Sequence, residues 1–194
     1  MLAKLSRYIR NRRKQKLLRT TSPTMLYGYQ KNGVNLPDTR IGTSTTLEGE
    51  EKLILEDNVF IGQYNFIEAS NGITIREGCQ ITNFISILSH SSHNSIRYYG
   101  NSYRKNTDLK GYIKGRVEIG KYTFIGPHAT IMPNTIVGKG CIISAYSLLR
   151  GDYPDFSIIA GNPATVIGST KDKDMSFLEK HPELEEYYNE WANR

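Results

Sequence analysis

The middle of the chain repeats every six residues. Aliphatic residues recur at this interval over six consecutive positions: Ile119, Ile125, Ile131, Val137, Ile143 and Leu149. Four residues after each of the first five stands a small side chain, namely Thr123, Ala129, Thr135, Cys141 and Ser147. A half-buried strand alternates at every second residue and an amphipathic helix has a period of about 3.6, so neither fits. The repeat predicts short strands joined by tight corners, wound into a solenoid.

The same period extends upstream to about residue 41. The upstream aliphatic set reads Leu55, Ile61 and Ile67 and, after a two-residue offset, Ile75, Ile81 and Ile87, with Ile41 and Leu47 before it. Three six-residue units would close one triangular turn, with the aliphatic side chains inside and the small ones at the corners. We therefore predict an all-β solenoid domain over residues 36–168. A basic N-terminal segment at 1–35, predicted to be helical, and an acidic C-terminal helix at 169–194 would flank it.

Over residues 41–168 the chain resembles the hexapeptide-repeat acyltransferases. The resemblance is carried by Ile119-Gly120, Ile125-Gly126, Val137-Gly138, Ser144-Ala145 and the segment Ala160-Gly161-Asn162-Pro163-Ala164. Within that family it looks most like the branch that acetylates sugars and polysaccharides at oxygen. The resemblance implies a left-handed parallel β-helix, a homotrimer, acetyl-CoA as the donor, and a sugar or polysaccharide as the acceptor.

The positive charge of the chain is concentrated at its N-terminus. Of a net charge of +6, eight basic residues lie before residue 20 with no acidic residue among them, which leaves the rest slightly acidic. Such a segment can bind an anionic membrane surface, or it can pack against the acidic C-terminal segment, within one chain or between subunits. Because the body carries no basic excess, we do not expect a nucleic acid partner.

The apolar content of the chain excludes a membrane-spanning class. Only 38% of residues are hydrophobic, and no apolar run approaches the roughly 20 residues that a bilayer span requires. The basic N-terminus is not followed by the apolar stretch of a secretory signal peptide. We therefore expect a cytoplasmic protein that the basic segment could hold at the inner face of the membrane.

The repeat is interrupted by a polar loop at residues 88–116. A stretch of this length inside a compact domain is usually functional or disordered, and its tyrosines favour an ordered structure because they can cover apolar surface while presenting hydroxyl groups. Two histidines, His90 and His93, stand at its start. A sugar hydroxyl becomes a good nucleophile only when a base takes its proton, and histidine is the commonest such base.

The resemblance assigns roles to these residues. It implies His93 as the general base, and it implies contacts to the acceptor from Glu68, His90 and Tyr98. For the acetyl-CoA site it implies the following residues: Gly126, Pro127, Ser144, Ala145, Arg150, Ala160, Gly161 and Thr165. Because Thr165 stands where the family commonly has a basic residue, Arg150, Lys171 or Lys173 would supply the phosphate contacts.

No metal site is expected, and two other functions remain open. His128 stands far from the other histidines in the sequence, so we predict that it lines the groove of the donor rather than a zinc site. One alternative function is N-acetylation of a nucleotide-linked amino sugar, which would share the donor and the fold. The other is a non-catalytic β-helix scaffold that has lost CoA binding.

Overall fold

Parallel strands wind the middle of the chain into a coil. The computed structural model describes residues 2–31 and 33–193, without the side chains of residues 2–7 and 31. The strands are β1 (Met25–Lys31), β2 (Val34–Gly42), β3 (Thr46–Glu48), β4 (Leu53–Leu55), β5 (Phe60–Ile61), β6 (Phe66–Glu68), β7 (Ile73–Ile75), β8 (Gln80–Ile81), β9 (Ser86–Leu88), β10 (His90–Ser91), β11 (Ile113–Lys114), β12 (Val117–Ile119), β13 (Phe124–Ile125), β14 (Thr130–Val137), β15 (Ile142–Ile143), β16 (Leu148–Tyr153), β17 (Ser157–Gly161) and β18 (Ala164–Ser169). The helices are α1 (Leu2–Thr21), α2 (Ser95–Tyr99), α3 (Thr170–Leu178) and α4 (Glu185–Ala192), with short 3-10 helices at Glu50–Lys52, Gly100–Lys105 and Pro182–Leu184.

The strands stack on three faces. The first face consists of β2, β5, β8, β13, β15 and β17, paired in parallel. The second consists of β3, β6, β9 and the first parts of β14 and β16. The third consists of β4, β7, β12 and the remaining parts of β14 and β16. Each turn therefore bonds to the turns before and after it, as expected of a solenoid.

Two of the bends between faces matter for function. Corner 1 joins the first face to the second and comprises residues 62–65, 82–85, 126–129 and 144–147. Corner 2 joins the second face to the third and comprises residues 69–72, 89–116, 132–134 and 150. The long loop predicted from the sequence leaves the coil at corner 2. Its stem is the antiparallel pair of β10 and β11, in which His90 lies opposite Lys114.

The repeated aliphatic residues form the core. The inward side chains of the three faces are at most 1% exposed at these positions: Ile61, Ile67, Ile75, Ile81, Ile87, Ile119, Ile125, Ile131, Val137, Ile143 and Leu149. The small residues four places later are buried as well, because the corners are too crowded for larger side chains. The burial confirms the six-residue interpretation of the sequence.

The turn length differs from the prediction in part of the coil. Phe124 pairs with Ile142, three repeat units later, as predicted. Earlier, Arg40 pairs with Phe60 and Phe60 with Gln80, so both of those turns are two residues longer than three units. In the last turn Ile142 pairs with Ile158, two residues short of three units. The two additional residues of the turn from Phe60 to Gln80 lie at corner 2, where the offset in the aliphatic pattern occurs, and they do not disturb the register of the faces.

The two ends of the chain are arranged differently. Every described side chain of α1 from Tyr8 to Thr21 is exposed, so α1 does not pack on the acidic C-terminal segment of its own chain, and that alternative was wrong for the described residues. The basic side chains of Lys4 and Arg7 lie outside the described ones. In the described ranges, no helix combines the length and hydrophobicity needed to cross a membrane.

The C-terminal segment forms two helices instead of the single one expected. The chain bends at Pro182, between α3 and α4, because proline cannot donate the hydrogen bond that would continue a helix. Trp191 of α4 then packs on the coil, with its ring centroid 4.7 Å from that of Tyr122 and 5.9 Å from that of Phe156.

Candidate active site

A histidine and a buried carboxylate meet at corner 2. Nδ1 of His90 lies 2.6 Å from Oε2 of Glu68. Glu68 ends β6, one turn earlier in the coil, and is only 3% exposed, whereas the side chain of His90 is 34% exposed. The pair therefore has a buried acidic end and an imidazole that solvent can reach.

Hydrogen bonds hold the carboxylate of Glu68 in its charged form. The backbone N–H groups of Ser70 and Ser89 donate to it at 2.9 and 3.3 Å, and the hydroxyl of Ser89 donates at 3.0 Å. Burial alone would raise the pKa of Glu68, but these hydrogen bonds and the nearby His90 outweigh burial and hold that pKa below its usual value. A charged carboxylate accepts a hydrogen bond from the N–H at Nδ1, which leaves Nε2 of His90 as the nitrogen with a free lone pair.

The loop covers one side of this pair. The ring of Tyr112 stacks on His90 with 5.4 Å between centroids. The loop is internally bonded as well: the hydroxyl of Tyr99 accepts from the backbone N–H of Lys110 at 3.0 Å and donates to the carbonyl of Asp108 at 3.1 Å. The predicted order of the loop is therefore confirmed, and Tyr112 covers one face of the imidazole.

His93 has a more open environment. It is exposed, and its Nδ1 lies 2.7 Å from the hydroxyl of Ser91. Among the described residues, no carboxylate lies within ion-pair distance of it. Tyr98, expected to contact the acceptor, is 67% exposed on α2. Glu68, assigned to the same role, is instead buried behind His90.

Most of the residues predicted for the donor line up along the edge of the first face. Gly126 and Pro127 follow β13, and Ser144 and Ala145 follow β15 at the same place one turn later. The pairing of Ile143 with Ile159 then aligns Ala160 and Gly161 with them. We call these six residues, with Thr165 on the adjoining β18, the donor row.

Close approach of the backbone explains the glycine in this row. A Cβ at Gly126 would lie 2.6 Å from the backbone nitrogen of Ala145, so the neighbouring turn leaves no room for a side chain. Gly126 is buried and its N–H donates to the carbonyl of Ile143 at 2.8 Å, whereas Pro127, Ala145 and Gly161 are exposed along the row. Arg150 does not belong to the row: it lies exposed at corner 2, on the other side of the second face.

An aromatic stack next to the donor row was missed by the sequence analysis. Tyr64, Phe84, His128 and Tyr146 lie on successive turns at corner 1, with centroid distances of 5.1, 5.0 and 4.8 Å. All four adopt left-handed backbone angles, with φ between 60° and 62°, which is costly for bulky residues. The sequence contained a signal for this stack: each of the four aromatic residues stands three positions after an inward isoleucine.

Metal-binding clusters are not evident in the part of the chain that the structure describes. No three residues among histidine, cysteine, aspartate and glutamate come together there. The buried thiols of Cys79 and Cys141 are free, and burial raises the pKa of Cys79 to about 12. These thiols therefore remain protonated and are poor nucleophiles.

Comparisons with known proteins agree with the six-residue repeat and the coil that it forms. The family model for the bacterial transferase hexapeptide (six repeats) matches residues 116–151. The chain is 30% identical over 135 residues to the dTDP-4-amino-4,6-dideoxy-D-glucose acyltransferase of Escherichia coli, covering 68% of this chain and 67% of that protein. It is 29% identical over 129 residues to the putative lipopolysaccharide biosynthesis O-acetyl transferase WbbJ of Escherichia coli K12, covering 66% of this chain and 65% of WbbJ.

The match covers only part of several relatives. The chain spans less than two thirds of WbbJ and 38% of two further curated relatives. Among solved structures, AntD, an N-acyltransferase from Bacillus cereus in complex with dTDP and 3-hydroxybutyryl-CoA, aligns with a TM-score of 0.58 at 17% identity. This alignment covers 75% of this chain and 87% of AntD. At that identity the likeness concerns the fold.

Proposed function

Because the chain belongs to the hexapeptide-repeat transferase family, we propose that it is an acetyl-CoA-dependent O-acetyltransferase that acts on a sugar hydroxyl. The observation that carries this proposal is the Glu68–His90 pair, an oriented base at the foot of an ordered polar loop. Surface polysaccharide biosynthesis is the setting that we propose, since WbbJ is named for lipopolysaccharide biosynthesis. Family membership also supports the finer fold prediction, a left-handed coil.

The pair suggests how the reaction proceeds. Bound acetyl-CoA supplies an acetyl group already activated as a thioester. Nε2 of His90 takes the proton of the acceptor hydroxyl, so that the oxygen can attack the acetyl carbonyl, and the same proton can then pass to the departing thiolate. Glu68 is a positioning residue: it fixes the tautomer of His90 and stabilises the imidazolium that forms. The sequence analysis predicted His93 as the base. That prediction stays open as the alternative to His90.

The residues of the donor row fit a CoA-like ligand. Pro127, Ala145 and Gly161 expose the row to an extended ligand such as the pantetheine arm, and Lys171 and Lys173 are exposed on α3. The row and His90 lie at different corners of one chain, separated by the second face. We propose that the donor row of one copy faces His90 of another, as in the homotrimer that the family resemblance implies.

Acetyl-CoA is expected to stabilise the protein, and thermal unfolding measures this without knowledge of the acceptor. A ligand at 100 times its dissociation constant adds roughly 2.7 kcal/mol to the free energy of unfolding. Ala145 is an exposed residue of the donor row. Ala145→Arg places a bulky side chain there and should reduce the shift that acetyl-CoA produces in the midpoint of thermal unfolding. The absence of any shift at millimolar acetyl-CoA would favour the non-catalytic scaffold.

The amino-sugar alternative rests on one comparison. The relative at 30% identity is named for a 4-amino sugar nucleotide, so N-acetylation stays the second candidate function. Product analysis decides between the two, because an ester formed at oxygen is cleaved by mild alkali and an amide formed at nitrogen is not.

The exposed basic helix supports a proposal about location. The described part of α1 presents Arg10, Arg12, Arg13, Lys14, Lys16 and Arg19 to solvent. We propose that α1 holds a cytoplasmic enzyme at an anionic membrane surface. The full chain should co-sediment with vesicles containing anionic lipid at low salt and lose this binding when the six basic residues become glutamine. Equal sedimentation of both forms would contradict the proposal, as would binding to neutral vesicles.

A further inference from the structure

A polar pocket lies between the loop and the coil, beside His90. Its volume is about 600 Å³, within the size range of small-molecule sites. Ser70 and Asn71 line it from corner 2, and Tyr103, Asp108, Tyr112 and Lys114 line it from the loop. Hydroxyl, amide and charged groups dominate this lining. We call it the loop pocket.

The loop pocket shares residues with the environment of His90. Tyr112 is both a wall of the pocket and the ring stacked on His90. Ser70 lines the pocket, and its hydroxyl lies 3.4 Å from Nδ1 of His90. A molecule in this pocket would therefore lie beside the base. Burial raises the pKa of Tyr112, so its hydroxyl stays protonated and can donate a hydrogen bond.

The lining of the pocket contains one cation, Lys114. Asp108, the carboxylate of the lining, is paired with Lys110 at 2.8 Å, and the charge of Lys114 acts on it as a weaker, additional influence. Nζ of Lys114 lies over the ring of Tyr112, 5.4 Å from its centroid. In the described residues no carboxylate comes within ion-pair distance of Lys114, which is exposed at the stem of the loop.

We propose that the loop pocket selects an acceptor sugar that carries an anionic group. This inference rests on the proposed acetyl transfer. Lys114 pairs with the carboxylate of an acidic sugar or with the phosphate of a sugar phosphate. Tyr103, Ser70 and Asn71 bind the sugar hydroxyls, and a neighbouring hydroxyl is presented to His90.

Direct titration of the full chain with three matched probes tests this pocket. The probes are galactose, galacturonic acid and galactose 1-phosphate, which share one ring and differ in charge. Charge-assisted hydrogen bonds are roughly twice as strong as neutral ones, so we expect at least one anionic probe to bind about tenfold or more tightly than galactose. The preference between the two anions identifies the carboxylate or the phosphate as the recognised group.

Substitutions assign this preference to Lys114. Lys114→Met keeps the length of the side chain without its charge and should abolish the preference, whereas Lys114→Arg should retain it. Lys105→Met is the matched control, because Lys105 is an exposed loop lysine outside the pocket. Steady-state kinetics with the preferred anion should show a raised KM for the acceptor in Lys114→Met, with kcat and the KM for acetyl-CoA little changed.

Several outcomes would overturn the inference. They are equal binding of all three probes, no binding of either anion at millimolar concentration, an unchanged preference in Lys114→Met, or an effect confined to the KM for acetyl-CoA. The pocket and the proposed function can fail separately. If the unsubstituted protein transfers no acetyl group but His90→Ala still binds the anionic probes more tightly than galactose, the pocket is supported and the proposed function is contradicted. If acetyl is transferred efficiently to neutral sugars alone, the proposed function is supported and the pocket is contradicted.

Discussion

Replacing His90 with alanine should lower kcat by about 10²- to 10⁴-fold, the usual contribution of a general base. The reason is that Nε2 keeps its free lone pair when Glu68 accepts a hydrogen bond from the N–H at Nδ1. The measurement is release of the CoA thiol in the presence of an acceptor. Circular dichroism and the acetyl-CoA-dependent thermal shift should stay unchanged, because His90 is partly exposed and lies outside the core.

His93→Ala is the matched control, since it removes a second histidine three residues away. We expect a much smaller fall in kcat, because His93 is exposed and its Nδ1 faces the hydroxyl of Ser91. The reverse result, a large loss in His93→Ala and a small one in His90→Ala, would favour the sequence prediction and contradict the geometry proposed here.

Glu68→Gln tests the positioning role by comparing turnover with donor binding. The substitution keeps the shape of Glu68 and removes the negative charge that orients the N–H at Nδ1 of His90. The value of kcat should therefore fall while the KM for acetyl-CoA and the acetyl-CoA-dependent thermal shift stay unchanged. A loss of the thermal shift together with kcat would indicate that Glu68 matters only for folding.

Mixing two inactive variants tests whether two copies share a site. His90→Ala lacks the base, and Ala145→Arg carries a bulky side chain in the donor row. If the base and the donor row of one site come from different copies, mixed oligomers contain some intact sites and regain activity. If both come from one chain, mixing restores nothing.

Replacing Ile125 with alanine should lower the free energy of unfolding by about 2–5 kcal/mol, because a buried isoleucine loses its transfer energy and leaves a cavity. Ile125 is fully buried on β13. Its strand is bonded to β8 on one side and β15 on the other, so neither neighbouring turn can move to fill the space without losing its own register.

Urea denaturation at a fixed protein concentration measures this loss, since oligomerisation makes apparent stability depend on concentration. Phe124→Ala is the control: the adjacent residue is 40% exposed and points away from the core. We expect it to cost well under half as much. Equal losses at the two positions would contradict the inward and outward assignment of β13.

The repeat made the core predictable because its physical cause is local. Every inward position of a coil has the same environment, so an aliphatic residue at any of these positions is predicted to be buried. Ile119 and Ile125 are both fully buried in the structure. The small residues at the corners follow from the same crowding. Six-residue spacing alone gives the register of the turn from β13 to β15, whereas the turns before and after it have other lengths.

The active site depends on contacts that the repeat does not encode. Glu68 and His90 meet because the turn between them is two residues longer than three repeat units, as the pairing of Ile67 with Ile87 shows. A uniform turn of three units, which the sequence analysis assumed, would have placed a different residue beside His90. The two-residue offset after Ile67 contained this information. The pocket formed by Tyr103 and Tyr112 could not be derived, because the loop has no periodicity.

Corner 2 also determines how this protein can change. It holds two additional residues in an early turn and the whole loop in a later one, yet the strands on either side stay in register. The loop enters and leaves through neighbouring residues, His90 and Lys114. The loop can therefore be replaced at this stem by one of another length or sequence, while Glu68 and the core stay in place. Specificity for the acceptor and stability of the scaffold are thus free to evolve separately.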